Sequence, residues 1–190
     1  MRILITGATG NVGLDLFRDL SQRGCDPIAA VRDVERARKI LGTTATCVRA
    51  DFSEPSSFRD ALKDIDALFL MRPPAISNVK RFIEPVIRIA RDSPIRHIVF
   101  LSVQGADKNR FIPHHAIENL IRDSGISFTF LRPGFFMQNL STTHRDEIRL
   151  RSEIFVPAGR GKTAFIDTRD IAEIASHILL NPNQHRNRAY

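Results

Sequence analysis

Residues 2–13, RILITGATGNVG, pass from a short aliphatic run into a glycine loop and then into a helical pattern. Ile3, Leu4 and Ile5 carry no polar alternation, which suits a parallel strand covered on both faces. Val12, Leu16 and Leu20 recur at i, i+4 and i+8, the apolar face of a helix. Between them Gly7 permits a tight turn, Gly10 clears space where a ligand must approach the backbone, and Gly13 lets helix and strand pack closely. Strand, glycine loop and helix in this order expose N–H groups at a helix N-terminus, which favour an anion such as a pyrophosphate by about 0.3–1 kcal/mol at exposed sites and more when partly buried. An ordinary glycine-rich turn is the plainer alternative; the flanking strand and helix weigh against it.

The chain has 190 residues, 43% of them hydrophobic, enough for one packed core and too few for two comfortable domains, so a single domain over residues 1–190 is expected. No apolar run reaches the ~20 residues of a membrane span, and the strand-like start lacks a signal-peptide pattern, so no membrane partner and a cytoplasmic location are expected. The net charge of +7 raises nucleic-acid binding, but the arginines are scattered from Arg2 to Arg188 without a basic run or interleaved aromatics. Attraction for an anionic cofactor explains the charge, and no nucleic acid is expected. Cys25 and Cys47 fit no metal spacing and no disulfide framework, and read as small buried hydrophobes. No metal is expected.

Short apolar segments recur at Pro27 to Val31, Thr46 to Ala50, Ala67 to Met71, His97 to Ser102 and Ser127 to Leu131, with amphipathic stretches between them. That alternation predicts an α/β fold, a doubly wound parallel sheet of Rossmann type with strand order 3-2-1-4-5-6. Pro113 fits the first turn of a helix, Ser124-Gly125 its stop, and Asp167 with Asp170 the capped start of the last helix. Pro85 lies inside the helical pattern of Ile76 to Ala90, which it should kink or interrupt unless a helix begins there. Residues 135–161 read as an irregular substrate-side segment after the sixth strand, with a short strand and turn at Phe155-Val156-Pro157-Ala158-Gly159.

Thr6-Gly7-Ala8-Thr9-Gly10-Asn11-Val12-Gly13 has the T-G-x-x-G-x-x-G spacing and resembles the extended and atypical short-chain dehydrogenase/reductases. HIVFLSVQGA (His97 to Ala106), HHAIENLIRDSGISFTFLRPGFFMQNL (His114 to Leu140) and FIDTRDIAEIA (Phe165 to Ala175) narrow the resemblance to NmrA-like members, over nearly the whole chain. It implies an NADP(H) site, with NAD possible, and a small-molecule acceptor. The family also contains non-catalytic redox sensors, so a regulator that reads the NADPH/NADP ratio and binds a protein partner stays open, as does a homodimer. Tyr190 falls where such proteins enter their next strand, so the C-terminal substrate lobe is expected to be reduced or missing.

Arg32 follows the second strand, where an acid would bind the ribose hydroxyls of NAD. Its planar fork matches a 2′-phosphate instead, a charge-assisted contact worth ~1.5–3 kcal/mol, or roughly tenfold to hundredfold in affinity. A solvated surface arginine is the alternative, and the neighbouring Asp33 leaves room for NAD. By the resemblance, Asp51 and Phe52 meet the adenine, or Asp51 merely caps the next helix. Met71, Arg72 and Pro73 would pass under the riboses, with Arg72 meeting a phosphate or ribose, or forming a rim salt bridge. Val103, Pro133 and Phe135 are expected on the nicotinamide side.

For catalysis the resemblance points to Ser102, at the end of the fifth strand, beside a carbonyl being reduced. Where the superfamily places its lysine and tyrosine, this chain has His114 and Arg110, and its one tyrosine is Tyr190. A guanidinium does not readily give up a proton, whereas His114 could assist near neutral pH or be a plain polar residue of a first helical turn. Reduction of a simple carbonyl demands a positioned acid; a quinone or azo acceptor spreads the charge and can take its proton from water. An oxidoreductase passing hydride to such a conjugated acceptor is therefore expected.

Overall fold

A computed structural model describes residues 1–156, 159 and 161–190. Nine strands and eight α-helices alternate along the described chain: β1 (Ile3–Thr6), α1 (Asn11–Gln22), β2 (Ile28–Val31), α2 (Val34–Leu41), β3 (Cys47–Arg49), α3 (Phe58–Ala61), β4 (Ala67–Met71), α4 (Val79–Phe82), α5 (Glu84–Arg91), β5 (His97–Leu101), α6 (Pro113–Asp123), β6 (Ser127–Leu131), β7 (Phe135–Phe136), α7 (Arg145–Arg151), β8 (Phe165–Ile166), α8 (Thr168–Leu180) and β9 (Arg188–Ala189). The main sheet runs β3-β2-β1-β4-β5-β6-β9, every pairing parallel. The expected order is present, extended by the two-residue edge strand β9, which pairs Thr129 with Arg188.

The aliphatic strands are buried on both faces because successive side chains point to opposite layers. Leu4, Leu68, Leu70, Ile98 and Phe100 face α3, α5 and α6, where they meet Leu62, Val86 and Ile117. Ile3, Ile5, Phe69, Val99 and Leu101 face the other layer, built from α1 and α8 with Leu16, Leu20, Ile171 and Ile178. Cys25 and Cys47 are only half-buried, packed against the rim of that second layer.

The helix boundaries follow local chemistry. Pro85 divides the fourth crossover helix into α4 and α5 and occupies the first turn of α5, where its missing N–H costs least. Pro113 opens α6, and Gly125, at φ +77°, follows its C-cap Ser124. Asp167 caps α8 by accepting the Arg169 N–H. The segment after β6 is more ordered than expected: β7, a 3-10 turn over Met137–Leu140 and α7 lie in it, and β7 pairs with β8. Gln138 fixes it, donating to Asp167 at 2.8 Å and accepting the Thr168 N–H at 3.0 Å. α7 buries none of its residues. Phe155 and Val156 form no strand, and Pro157 and Ala158 lie outside the described residues.

Candidate cofactor site at the carboxyl edge of the sheet

The glycine loop leaves β1 at the carboxyl edge of the sheet. Gly7 turns at φ +66°, and the Gly10 N–H closes the turn on the Gly7 carbonyl at 2.9 Å. A Cβ on Gly13 would lie 2.1 Å from the Gly7 oxygen, so only glycine lets α1 come this close to the turn. At Gly10 the added atom would meet that oxygen at 3.4 Å, an ordinary contact. Gly10 is also the N-cap of α1 and has no side chain to offer, so no cap engages the first-turn N–H groups. A cradle whose turn and helix contact require glycine at Gly7 and Gly13, with uncapped amides at its end, suits a dinucleotide pyrophosphate. Thr9 and Asn11 are exposed at its mouth, while Val12 points into the core.

Thr6 and Met71 form the floor. The Thr6 hydroxyl accepts the Met71 N–H at 2.7 Å and lies within hydrogen-bond reach of the Phe69 and Met71 carbonyls, so the side chain is occupied in joining β1 to β4. The Met71 methyl fills the space that a side chain on Gly7 would need.

At the ends of β2 and β3, where the sequence places the adenosine site, Arg32 is exposed immediately beyond β2. Asp33 is the N-cap of α2, its carboxylate accepting the Arg36 N–H at 2.9 Å. Asp51 closes a local turn by accepting the Ser53 N–H at 2.8 Å, and does not cap a following helix. Burial pushes the Asp51 carboxyl up, but the bonds from Ser53 and the charges of Arg32 and Arg49 outweigh it and hold it low. Phe52 is buried against Phe58, ring centroids 4.9 Å apart, so its backbone and not its ring is open to an adenine.

Among the described residues Arg72 does not form the rim salt bridge given as its alternative. Its guanidinium turns back onto the carbonyls of Pro73 and Pro74, each at 3.0 Å, and of Ile76, and so locks the loop after β4. Among the described residues it makes no salt bridge, and its Nε is buried without a hydrogen-bond partner.

At the reacting end, Ser102 and Val103 leave β5 beside Pro133, Gly134 and Phe135 leaving β6; the Ser102 N–H donates to the Leu131 carbonyl and the Gln104 N–H to the Pro133 carbonyl. Phe135 is braced between His144 and Phe165, ring centroids 5.7 and 5.2 Å away. Gly134 is required there because a Cβ would fall 2.4 Å from the Ala164 oxygen. Ser102 is 1% exposed and its hydroxyl donates to Glu118 at 2.6 Å. Its expected role beside an acceptor carbonyl is therefore corrected: a buried carboxylate must find donors, and Ser102 is one of them. His114 stacks on Phe100 at 6.0 Å. Burial and the nearby Arg72 charge lower its pKa to about 4, so its ring is uncharged at neutral pH.

Glu118 is a candidate site residue that sequence reasoning missed. The signal was its position between Ile117 and Ile121 on the buried face of α6.

The chain matches the NAD(P)H-binding family over residues 7–182. It belongs to that family. Relatives of this NAD(P)H-binding chain include the NAD(P)H azoreductase of Xenophilus azovorans, 34% identical over 99% of this chain and 66% of that protein. Solved structures with the same fold include the Citrobacter sp. triphenylmethane reductase complexed with NADP(H), with TM-score 0.84 and 26% identity over 100% of this chain and 69% of that one. Another is the NADPH-dependent quinone oxidoreductase of Escherichia coli complexed with NADPH, with TM-score 0.85 and 25% identity over 99% and 68%. These neighbours belong to the NmrA-like atypical group that the motifs resemble. The chain spans 60 to 66% of the length of the first curated relatives it matches.

Proposed function

We propose that this chain forms the cofactor-binding part of a cytoplasmic NADPH-dependent reductase acting on a small conjugated acceptor of quinone or azo type. The bound cofactor would supply a hydride from its nicotinamide ring. The protein contributes a cradle for the pyrophosphate at Gly7 to Gly13 and a guanidinium, Arg32, for the 2′-phosphate. NADPH is favoured over NADH because the acid beside Arg32 already caps α2 through one of its oxygens.

The reading of the acceptor is supported by one observation: neither candidate donor, Ser102 or His114, is a free acid, the Ser102 hydroxyl being engaged by Glu118 and His114 held neutral by burial. Ser102 donates to Glu118, and a neutral His114 can donate a hydrogen bond but gives up a proton only with difficulty. An acceptor that spreads its charge tolerates this; an aldehyde, which becomes an alkoxide, does not. The names of the relatives, an azoreductase and a quinone oxidoreductase, agree in chemistry. The test is NADPH consumption against a panel of quinones, azo dyes and unconjugated aldehydes. Turnover with the first two and little with the third is expected; efficient aldehyde reduction overturns the proposal.

A further inference from the structure

A wholly buried carboxylate lies directly behind the reacting end. Glu118, on α6, is 0% exposed and accepts four hydrogen bonds: from Ser102 Oγ at 2.6 Å, from Arg132 Nε at 2.9 Å and Nη2 at 2.6 Å, and from Arg122 Nη2 at 2.9 Å. Arg132 also reaches Asp107, at 3.3 Å, in the loop after β5. Two carboxylates and two guanidiniums thus balance in charge, and the double contact of Arg132 with Glu118 is the fork geometry that fixes direction as well as distance. Burial by itself would push the Glu118 carboxyl up, but the bonds from Arg132 and Ser102 and the two arginine charges hold it below the ordinary range.

The placement matters more than the strength. Ser102 follows the last residue of β5 and Arg132 the last residue of β6, and these strands are neighbours in register, Leu101 opposite Leu131. Their exits, Ser102 to Gln104 and Arg132 to Phe135, run beside each other at the carboxyl edge, where a doubly wound sheet binds its ligand. A stability device needs only burial and satisfied bonds; replacing a buried ion pair by apolar residues is often neutral or stabilising. This one joins the two strand exits and the intervening loop to a single rigid helix.

We infer that Glu118 is a positioning residue: through Ser102 and Arg132 it holds the exits of β5 and β6 in the arrangement that seats the nicotinamide half of the cofactor. The inference rests on the NADPH-binding reading above but not on the identity of the acceptor. The adenosine half binds at the ends of β1, β2 and β3 and is outside the reach of this network. Loss of Glu118 should therefore divide the cofactor's two halves.

The test titrates NADPH and its adenosine fragment 2′,5′-ADP into the wild-type and Glu118→Gln proteins, with thermal melts in parallel. The wild type should bind NADPH more tightly than the fragment. In Glu118→Gln, fragment affinity should stay within about twofold while NADPH affinity falls about tenfold or more, with loss of the fluorescence change of the bound nicotinamide. Glu118→Asp should recover part of the NADPH affinity, because it keeps the charge. If Glu118→Gln does not fold, Ser102→Ala, which removes one hydroxyl without stranding a guanidinium, should show the same division in weaker form. Parallel loss of both affinities, or loss of melting temperature with both affinities unchanged, overturns the inference, as does a wild-type protein that binds NADPH no better than 2′,5′-ADP. Absence of quinone turnover sinks the proposed acceptor and leaves this ratio to be judged separately.

Discussion

The Asp33 carboxylate accepts the Arg36 N–H at 2.9 Å, which makes the acid beside Arg32 a helix cap and leaves Arg32 itself exposed. NADPH should therefore bind several-fold tighter than NADH. Arg32→Asp should lower NADPH affinity by about tenfold to hundredfold. Asp33→Ala should instead act on stability, costing about 1 kcal/mol as a lost N-cap while leaving the preference intact. Calorimetric titration of both cofactors and a denaturant melt separate the two effects; equal affinities in the unmodified protein would remove Arg32 from the site.

The glycines of the loop should respond differently to alanine. Gly13→Ala drives a methyl to 2.1 Å from a backbone oxygen and should cost about 3 kcal/mol or prevent folding. Gly10→Ala has room at 3.4 Å and should fold normally while binding cofactor more weakly, because its methyl enters the pyrophosphate cradle. Thermal melts read the first effect and NADPH titration the second.

His97 is 2% exposed between Ser127 Oγ at 3.0 Å and Thr129 Oγ1 at 2.9 Å. Thr129 gives its proton to the His185 carbonyl at 2.8 Å, so it accepts from His97 Nε2, and Nδ1 accepts from Ser127. The ring is neutral, its pKa lowered from 6.5 to about 4 by burial and then by the Arg186 and His185 charges. A lowered histidine pKa means that the unfolded chain binds the proton first, so the stabilisation is present above about pH 6.5 and is lost as the pH falls toward about 4, by roughly 3 kcal/mol at most. Urea denaturation at about pH 7.5 and pH 4.5 should show the loss, and His97→Gln should shrink it.

Turnover with a quinone should vary little between about pH 6 and 8, because His114 stays uncharged throughout. His114→Ala should slow it a few-fold without abolishing it. A rate limb near pH 6.5 that disappears in His114→Ala would show that the imidazole carries the proton after all.

Gln138→Ala should cost about 1–2 kcal/mol and release the strand pair β7-β8 from the start of α8, because both of the glutamine's bonds are made there. Hydrogen exchange reports it as lost protection at residues 135–140 and 168–171. α7, which buries nothing, should exchange fast in either protein.

The layered fold was legible in the sequence because its signals are local and repeated. Continuous aliphatic runs at Ile3 to Ile5 and Ala67 to Met71 can only be satisfied by a sheet covered on both faces, and the T-G-x-x-G-x-x-G turn follows from three positions where a Cβ is costly or unwelcome. Pro85, Pro113 and Asp167 set helix boundaries through their own backbone or side-chain chemistry, so one residue sufficed for each. The tertiary structure decided which polar groups are free. Ser102, Asp33 and Thr6 all stand where the sequence places them, yet each is engaged by a partner inside the protein: Ser102 by Glu118, Asp33 by the Arg36 N–H and Thr6 by Met71. Glu118 and Arg132 are 14 residues apart and Thr168 and Asp15 are 153 apart, and these pairs meet only because parallel strands bring distant chain segments to one edge. Sequence determines which groups a strand end carries; the burial that decides whether a proton or charge stays available exists only after the sheet has formed.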